Sequence, residues 1–265
     1  MPSINRPGRG ARTPFKHKIL DKFLGKIAGV ISCSDWLTKD LLVVDMCAGD
    51  GVDSEESGTC SPRIITKHTA WAAEHGINAH AVLIEKNAKS FASLQEHFSA
   101  PGVELLHMDA SDYQLPFNSP DNRFLHLDPN SAATMPKPES WGPMLNDRSL
   151  MLMTLGCNAS GVKKGPLHLR EPWFDYVGTV KQWLPTRFDI LFVPLLHDSH
   201  HWAYLIVLPN VWRDKHLVDI RKWAGETLPE PFGVDVLSWR TQPDLFNESV
   251  TKHFLTVKEW EPLYA

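Results

Sequence analysis

Leu42-Val-Val-Asp45-Met-Cys47-Ala-Gly49-Asp-Gly51 is the stretch on which the fold turns. The apolar run Leu41 to Val44 reads as a buried parallel strand. It passes straight into an acid and then a turn with two glycines two apart. Such glycines let the backbone reverse tightly and come close to a ligand. Paired glycines also occur in many ordinary strand-to-helix turns, so the reading depends on what lies at set distances around them.

Upstream, Phe15 to Ile31 places apolar residues at 15, 19, 20, 23, 24, 27 and 30–31, the spacing of a helix. Downstream, the polar loop 52–62 delays the next helix. Ser61-Pro62 marks its start, with Ser at the N-cap and Pro in the first turn, and Gly76 ends it after His75. Ala79 to Glu85 reads as a second strand, Lys86 to Phe98 as an amphipathic helix and Val103 to Met108 as a third strand. Arg123 to Leu127 is a fourth and Leu150 to Leu155 a fifth. A helix is expected over Glu171 to Leu184. Strands at 188–194 and 202–208 follow, joined by His197-Asp-Ser-His-His201 as a polar turn between antiparallel partners, and then a helix over 210–225.

Strand–helix alternation followed by a strand pair predicts an α/β fold. The expected form is a Rossmann-like, seven-stranded, mainly parallel sheet with a terminal antiparallel hairpin and helices on both faces. The domain reading is a flexible basic tail over 1–14, one domain over 15–210 and a C-terminal extension over 211–265 packed on it. Ligands of such sheets sit at the carboxyl ends of the strands. The first four strands each end in an acid, Asp45, Glu85, Asp109 and Asp128, and the four are expected to line one cleft.

The 265 residues suffice for one large domain with a substantial core, and no apolar run approaches the twenty residues of a membrane span. The N-terminus lacks the apolar core of a signal peptide. The four cysteines form no CxxC pair, which disfavours a zinc ribbon or disulfide framework and fits a reducing cytoplasm. Charge is segregated. Residues 1–26 hold seven basic residues against the single acid Asp21, a net +6. The rest, with 20 basic and 30 acidic residues, carries −10. A basic arm on an acidic body suits nucleic acid.

Two nucleotide-type ligands compete for the glycine turn. A dinucleotide site wants GxGxxG, a pyrophosphate on a helix N-terminus and an acid about 20 residues on. Here position 54 is Ser, the acid ending the second strand lies 34 residues past Gly51, and Asp50, Asp53, Glu55 and Glu56 would repel a pyrophosphate. S-adenosylmethionine carries no phosphate. It needs close backbone approach, an acid for the ribose hydroxyls and a polar contact for the adenine, which Gly49, Gly51, Glu85, Asp109 and Ala110 supply in order.

The pattern resembles class I S-adenosylmethionine-dependent methyltransferases over roughly residues 40–210. The resemblance implies that Asp45, Gly49 and Gly51 meet the methionine part, Glu85 the ribose and Asp109 the adenine, with Cys47, Ala48, Lys86 and Ala110 also among the cofactor-binding residues. Asp128-Pro129-Asn130-Ser131 stands where methyltransferases of base amines carry Asp/Asn-Pro-Pro-aromatic, which makes Asp128, Pro129 and Asn130 the catalytic candidates. The second Pro is missing, and Ser131 replaces the aromatic. Lys16-His17-Lys18, Cys47-Ala-Gly49-Asp-Gly51, Gly58-Thr-Cys-Ser61-Pro62, Ile84-Glu85-Lys86-Asn87 and Leu127-Asp128-Pro129 together look like the three-Cys-motif partner proteins. These are bacterial methyltransferase-like proteins often found in mobile or defence-linked gene neighbourhoods. The basic arm and the Asp-Pro motif point to a nucleic-acid methyltransferase; the alternative is a catalytically silent, methyltransferase-like partner protein of a mobile-element or defence system.

Trp141, in a Pro-rich loop, is the candidate substrate wall, and Lys163, Lys164 and Arg170 are candidates for reaching a phosphate. The histidines at 197–201 read as a polar turn and not a metal site, since consecutive turn residues diverge. No metal is expected. A Cys–His nucleophile pairing has nothing in the spacing to support it.

Overall fold

The computed structural model describes residues 13–54, 57–129, 136–157, 188–197, 200–209 and 237–240. The expected helices at 171–184 and 210–225, and Asn130, Lys163, Lys164 and Arg170, lie outside the described residues. Two compact units are distinguished, one through His126 and one from Leu127. The boundary expected at 210/211 falls outside the described residues.

The first unit opens with α1 (Thr13–Cys33), then β1 (Asp40–Asp45), α2 (Ser61–Glu74), β2 (Asn78–Glu85), α3 (Ala88–His97) and β3 (Val103–His107). A 3-10 turn (Ala110–Asp112) leads towards β4 (Arg123–Leu127). Strands β2 and β4 flank β1 and β3 flanks β2, all parallel. Registered residues share a sheet face, so Val43, Ala81, Val103 and Phe124 point one way and Leu42, His80 and Arg123 the other. Helix α1 covers the first face, with Phe23 edge-on to Phe124 at 5.6 Å between centroids. Helix α3 stacks Phe91 on His107 at 4.9 Å, and α2 packs on α1, β1 and β2.

Local chemistry sets these boundaries. Lys39 Nζ donates to the carbonyls of Ile31, Ser32 and Ser34 at 2.6 to 2.8 Å, satisfying groups that the end of α1 leaves open. The start of α2 corrects the sequence reading. Cys60 is the N-cap residue, with extended backbone and no side-chain cap, and Ser61-Pro62 already lie inside the helix. For α3 the cap is Asn87, whose side chain accepts from the N–H groups of Lys89 and Ser90 at 3.0 Å. Buried Asn122 aligns β4 with β1. Its Nδ2 donates to Thr38 O and Asp40 O at 2.8 and 2.9 Å, and Leu42 N donates to Asn122 O at 2.9 Å.

The second unit contains the short α4 (Pro138–Trp141), β5 (Ser149–Cys157), β6 (Phe188–His197), β7 (His200–Pro209) and β8 (Leu237–Arg240). Strands β6 and β7 form the expected antiparallel hairpin, closing where His197 pairs with His200. Strand β5 runs antiparallel to β7. The expectation of seven strands is corrected by β8, which adds an eighth, antiparallel to β6, from a segment with no readable period. The chain is a mixed α/β protein with a mostly parallel sheet, Rossmann-like in class. Among the described residues no helix is long and apolar enough to cross a membrane.

Asn122→Ala removes the clasp between β1 and β4 and takes the donor from the part-buried carbonyls of Thr38 and Asp40. The expected cost is about 2–3 kcal/mol in urea-denaturation stability. A loss below about 0.5 kcal/mol would show that the clasp does not set the β1–β4 register.

Candidate functional site

Asp45 is the last residue of β1, and the chain then turns through Cys47 to Gly51 at the carboxyl end of the parallel strands. Gly49 and Gly51 both have positive φ, +72° and +69°, which explains glycine at each. Their surroundings differ. Nothing lies within 4 Å of where a Cβ on Gly49 would stand. At Gly51 that atom would sit 2.8 Å from Phe98 and 3.0 Å from Leu94. Gly49 therefore offers open backbone, whereas Gly51 is held to glycine by the close packing of α3. Packing by itself thus accounts for the glycine at position 51.

Glu85, the last residue of β2, holds this turn. One carboxylate oxygen accepts from Gly49 N–H at 2.9 Å and the other from Asn87 N–H at 2.7 Å. Each oxygen has further lone-pair capacity, so the half-buried carboxylate can accept two hydroxyl donors without releasing the backbone. Ala48 is buried, and its N–H donates to Ile84 O at 3.0 Å, which ties the turn to β2 a second time. Beyond β3, Asp109 accepts from Ser111 N–H at 2.9 Å and from Lys86 Nζ at 3.5 Å. The Ser111 bond, with Lys86 beside it, holds the Asp109 carboxyl below its usual range. Ala110 is buried and starts the 3-10 turn, while Lys86 is exposed.

Asp45 departs from its expected role as an open contact. It is fully buried, and its Oδ1 accepts from Cys47 N–H at 3.2 Å and from His126 Nδ1 at 3.1 Å. The other oxygen, Oδ2, is buried with no hydrogen-bond partner. An orphaned carboxylate oxygen is costly and asks for a donor, preferably a cationic one. His126 was not singled out in the sequence. Its signal was a lone imidazole inside Phe124-Leu-His-Leu127, at the position registered with Asp45.

The loop after Gly51 is fastened on two sides. His17 of α1 is hydrogen-bonded to Ser57 Oγ at 2.7 Å, which brings the first turns of α1 to the same end of the sheet. Arg63 of α2 donates to Asp53 at 2.7 Å. Burial alone would raise the Asp53 carboxyl, but the Arg63 bond and charge bring it below its usual range. Cys60 Sγ donates to Gly51 O at 3.3 Å, and burial pushes its thiol up to about 12, so it is no nucleophile at neutral pH. Among the described residues no group of three or more His, Cys, Asp or Glu is placed to hold a metal ion.

In the second unit Asp128 follows β4 directly and is half-buried, and Pro129 is buried. Trp141 is not a substrate wall. It is fully buried, and its Nε1–H donates to Pro136 O at 3.3 Å, as a core indole does.

No family model matches the chain, and no curated protein is detectably similar to it in sequence. Among solved structures, protein LPL1258 of Legionella pneumophila, of family-model DUF519, superposes with a TM-score of 0.57 at 11% identity. The match covers 89% of this chain and 98% of that one. It supports the architecture alone. Precorrin-6y C5,15-methyltransferase of Geobacter metallireducens aligns with TM-score 0.42 at 13% identity, over 77% of this chain and 94% of that one. The plantazolicin methyltransferase BpumL, solved with SAH, aligns with TM-score 0.41 at 10% identity, over 74% and 85%. These two superpositions are too loose to carry an argument about this chain.

Gly51→Ala is expected to cost about 2–4 kcal/mol, from left-handed strain and overpacking against Phe98. Gly49→Ala bears the strain alone, about 1–2 kcal/mol. Equal losses in urea denaturation would remove the distinction between the two glycines. Iodoacetamide at pH 8 should label exposed Cys33 and half-exposed Cys47 well ahead of Cys60 in native peptide mapping. Faster labelling of Cys60 would contradict its burial.

Proposed function

We propose that the chain binds S-adenosylmethionine at the carboxyl ends of β1, β2 and β3 and directs its methyl group to nucleic acid. The observation that carries the reading is the Glu85 carboxylate. It holds Gly49 N–H at 2.9 Å beside open backbone while keeping acceptor capacity for two vicinal hydroxyls. A ribose presents such a pair. Asp109 lies one strand further along for a polar contact to a purine amine.

A dinucleotide fits less well. Its pyrophosphate needs a helix N-terminus directly after the glycines, but α2 begins only at Ser61. Between the two lie Asp50 and Asp53, which raise the cost of an anion.

When bound, S-adenosylmethionine supplies an activated methyl on a sulfonium, so the protein's work is positioning. Glu85, held by Gly49 N–H, would take the ribose hydroxyls. Asp45 orients the turn through Cys47 N–H. Asp128, with Pro129, is the candidate for orienting the acceptor amine and taking its proton, from the Asp-Pro motif after β4. Nucleic acid as acceptor is supported by the basic residues 1–26 on an otherwise acidic chain. A second reading, a cofactor-binding protein partner without catalysis in the manner of the three-Cys-motif family, is favoured by Ser131 standing where a base-stacking aromatic would.

Titration calorimetry with S-adenosylhomocysteine should give saturable binding, and Glu85→Ala should weaken it about a hundredfold, the equivalent of two lost charged hydrogen bonds. NADH should not bind. Absence of binding at millimolar ligand would overturn the cofactor reading. Binding without transfer of a radiolabelled methyl to RNA, DNA or cell-extract protein would favour the silent partner.

A further inference from the structure

We infer that the exposed ridge of α1 formed by Lys18, Lys22 and Lys26 is a phosphate track for the nucleic acid partner. The inference rests on the nucleic-acid reading above and assigns it a surface. The three lysines recur every four residues, so they stand in one row along the helix. At a rise of 1.5 Å per residue the row spans about 12 Å. It lies opposite the stripe of Leu20, Phe23, Leu24 and Ile27, which is buried at 0–1% exposure.

The row is electrostatically unspent. Lys18 and Lys22 are exposed and Lys26 partly so, and among the described residues none of the three is held by a hydrogen bond or ion pair. Three other lysines of the unit are engaged. Lys39 closes the end of α1, Lys67 pairs with Asp21 at 2.7 Å and Lys86 with Asp109 at 3.5 Å. The nearest acid along the helix, Asp21, is taken by Lys67 and by His68 at 2.9 Å. Just beyond Lys26, Gly29 has nothing within 4 Å of where a Cβ would stand, so the helix backbone is open to approach there.

Position adds to charge. Helix α1 begins at Thr13, directly after the segment carrying Arg6, Arg9 and Arg12, so arm and ridge form one basic run in the chain. The His17–Ser57 bond fastens the Lys18 end of the row beside the loop that follows Gly51. The −10 carried by residues 27–265 repels a polyanion on average, which makes the charge match specific to this helix and its arm. An anionic membrane is the poorer match, because the apolar face of α1 is buried in the core and has nothing to insert.

The test is fluorescence anisotropy of the full chain with a labelled RNA hairpin, a single-stranded DNA and a duplex DNA, between 50 and 200 mM salt. A triple variant, Lys18→Gln, Lys22→Gln and Lys26→Gln, is compared with a control, Lys89→Gln and Lys137→Gln, two exposed lysines outside α1. Each phosphate contact contributes roughly 0.7–0.9 to the slope of log affinity against log salt. The triple variant should therefore lose about 2 to 3 from that slope and at least tenfold in affinity at 100 mM salt, with unchanged circular dichroism and S-adenosylhomocysteine affinity. An unchanged slope, an equal loss in the control, no nucleic acid binding by the wild type, or binding to phosphatidylserine vesicles in its place would overturn the proposal. Lysine-dependent nucleic acid binding without S-adenosylhomocysteine binding would keep the ridge and sink only the cofactor reading.

Discussion

The Glu85 carboxylate is the joint on which the candidate site depends. It sits at the end of β2 yet takes Gly49 N–H from the turn after β1, and the N–H of Asn87, which itself caps α3. One side chain thus fixes the turn of one strand, the end of the next and the residue that caps the following helix. A turn at positive φ is cheap for glycine but also free to wander. The charged hydrogen bond from Glu85 converts that freedom into one geometry.

The two glycines show how one pattern carries two constraints. From sequence, Gly49 and Gly51 were equivalent, since spacing reports only that the chain must turn. What separates them is Phe98, at the far end of α3, which closes on Gly51 and leaves Gly49 open. That contact joins residues 47 apart in the chain, and no local pattern encodes it. The same holds for Asp45. An acid at a strand end reads as a ligand contact, but its partner His126 comes from β4, in register with it only after the sheet has formed.

What the sequence made legible was therefore what hydrophobic period and punctuation encode. Strand β4 was placed at Arg123–Leu127 and lies there, and the turn between β6 and β7 fell where His197 and His200 close the hairpin. The errors have physical causes. Ser61-Pro62 reads as a cap and first turn, yet Cys60 takes the cap position because its thiol is drawn in to Gly51 O, which starts the helix one residue early. Trp141 sits among prolines, which reads as a loop wall, but an indole with its N–H satisfied by Pro136 O is at home in a core. Strand β8 had no period to find, because a four-residue strand is too short to display one.

The charge distribution is the property that the two halves of the functional proposal share. A sulfonium cofactor is cationic and a nucleic acid is a polyanion, so a protein that brings them together needs both signs within one unit. Here the acids Asp45, Glu85 and Asp109 gather at the strand ends, while the unpaired lysines stand on the outer face of α1. Screening at physiological salt limits exposed charges to about 8 Å, so the two sets need only modest separation to act independently. Asp21 is the one acid on the basic helix, and its pairing with Lys67 and His68 keeps it from cancelling the row. Glu85 is half-buried, so on this proposal its hold on the cofactor is screened less than the grip of the exposed α1 lysines on a polyanion. Under the proposal, cofactor affinity and nucleic acid affinity thus come under different ionic control.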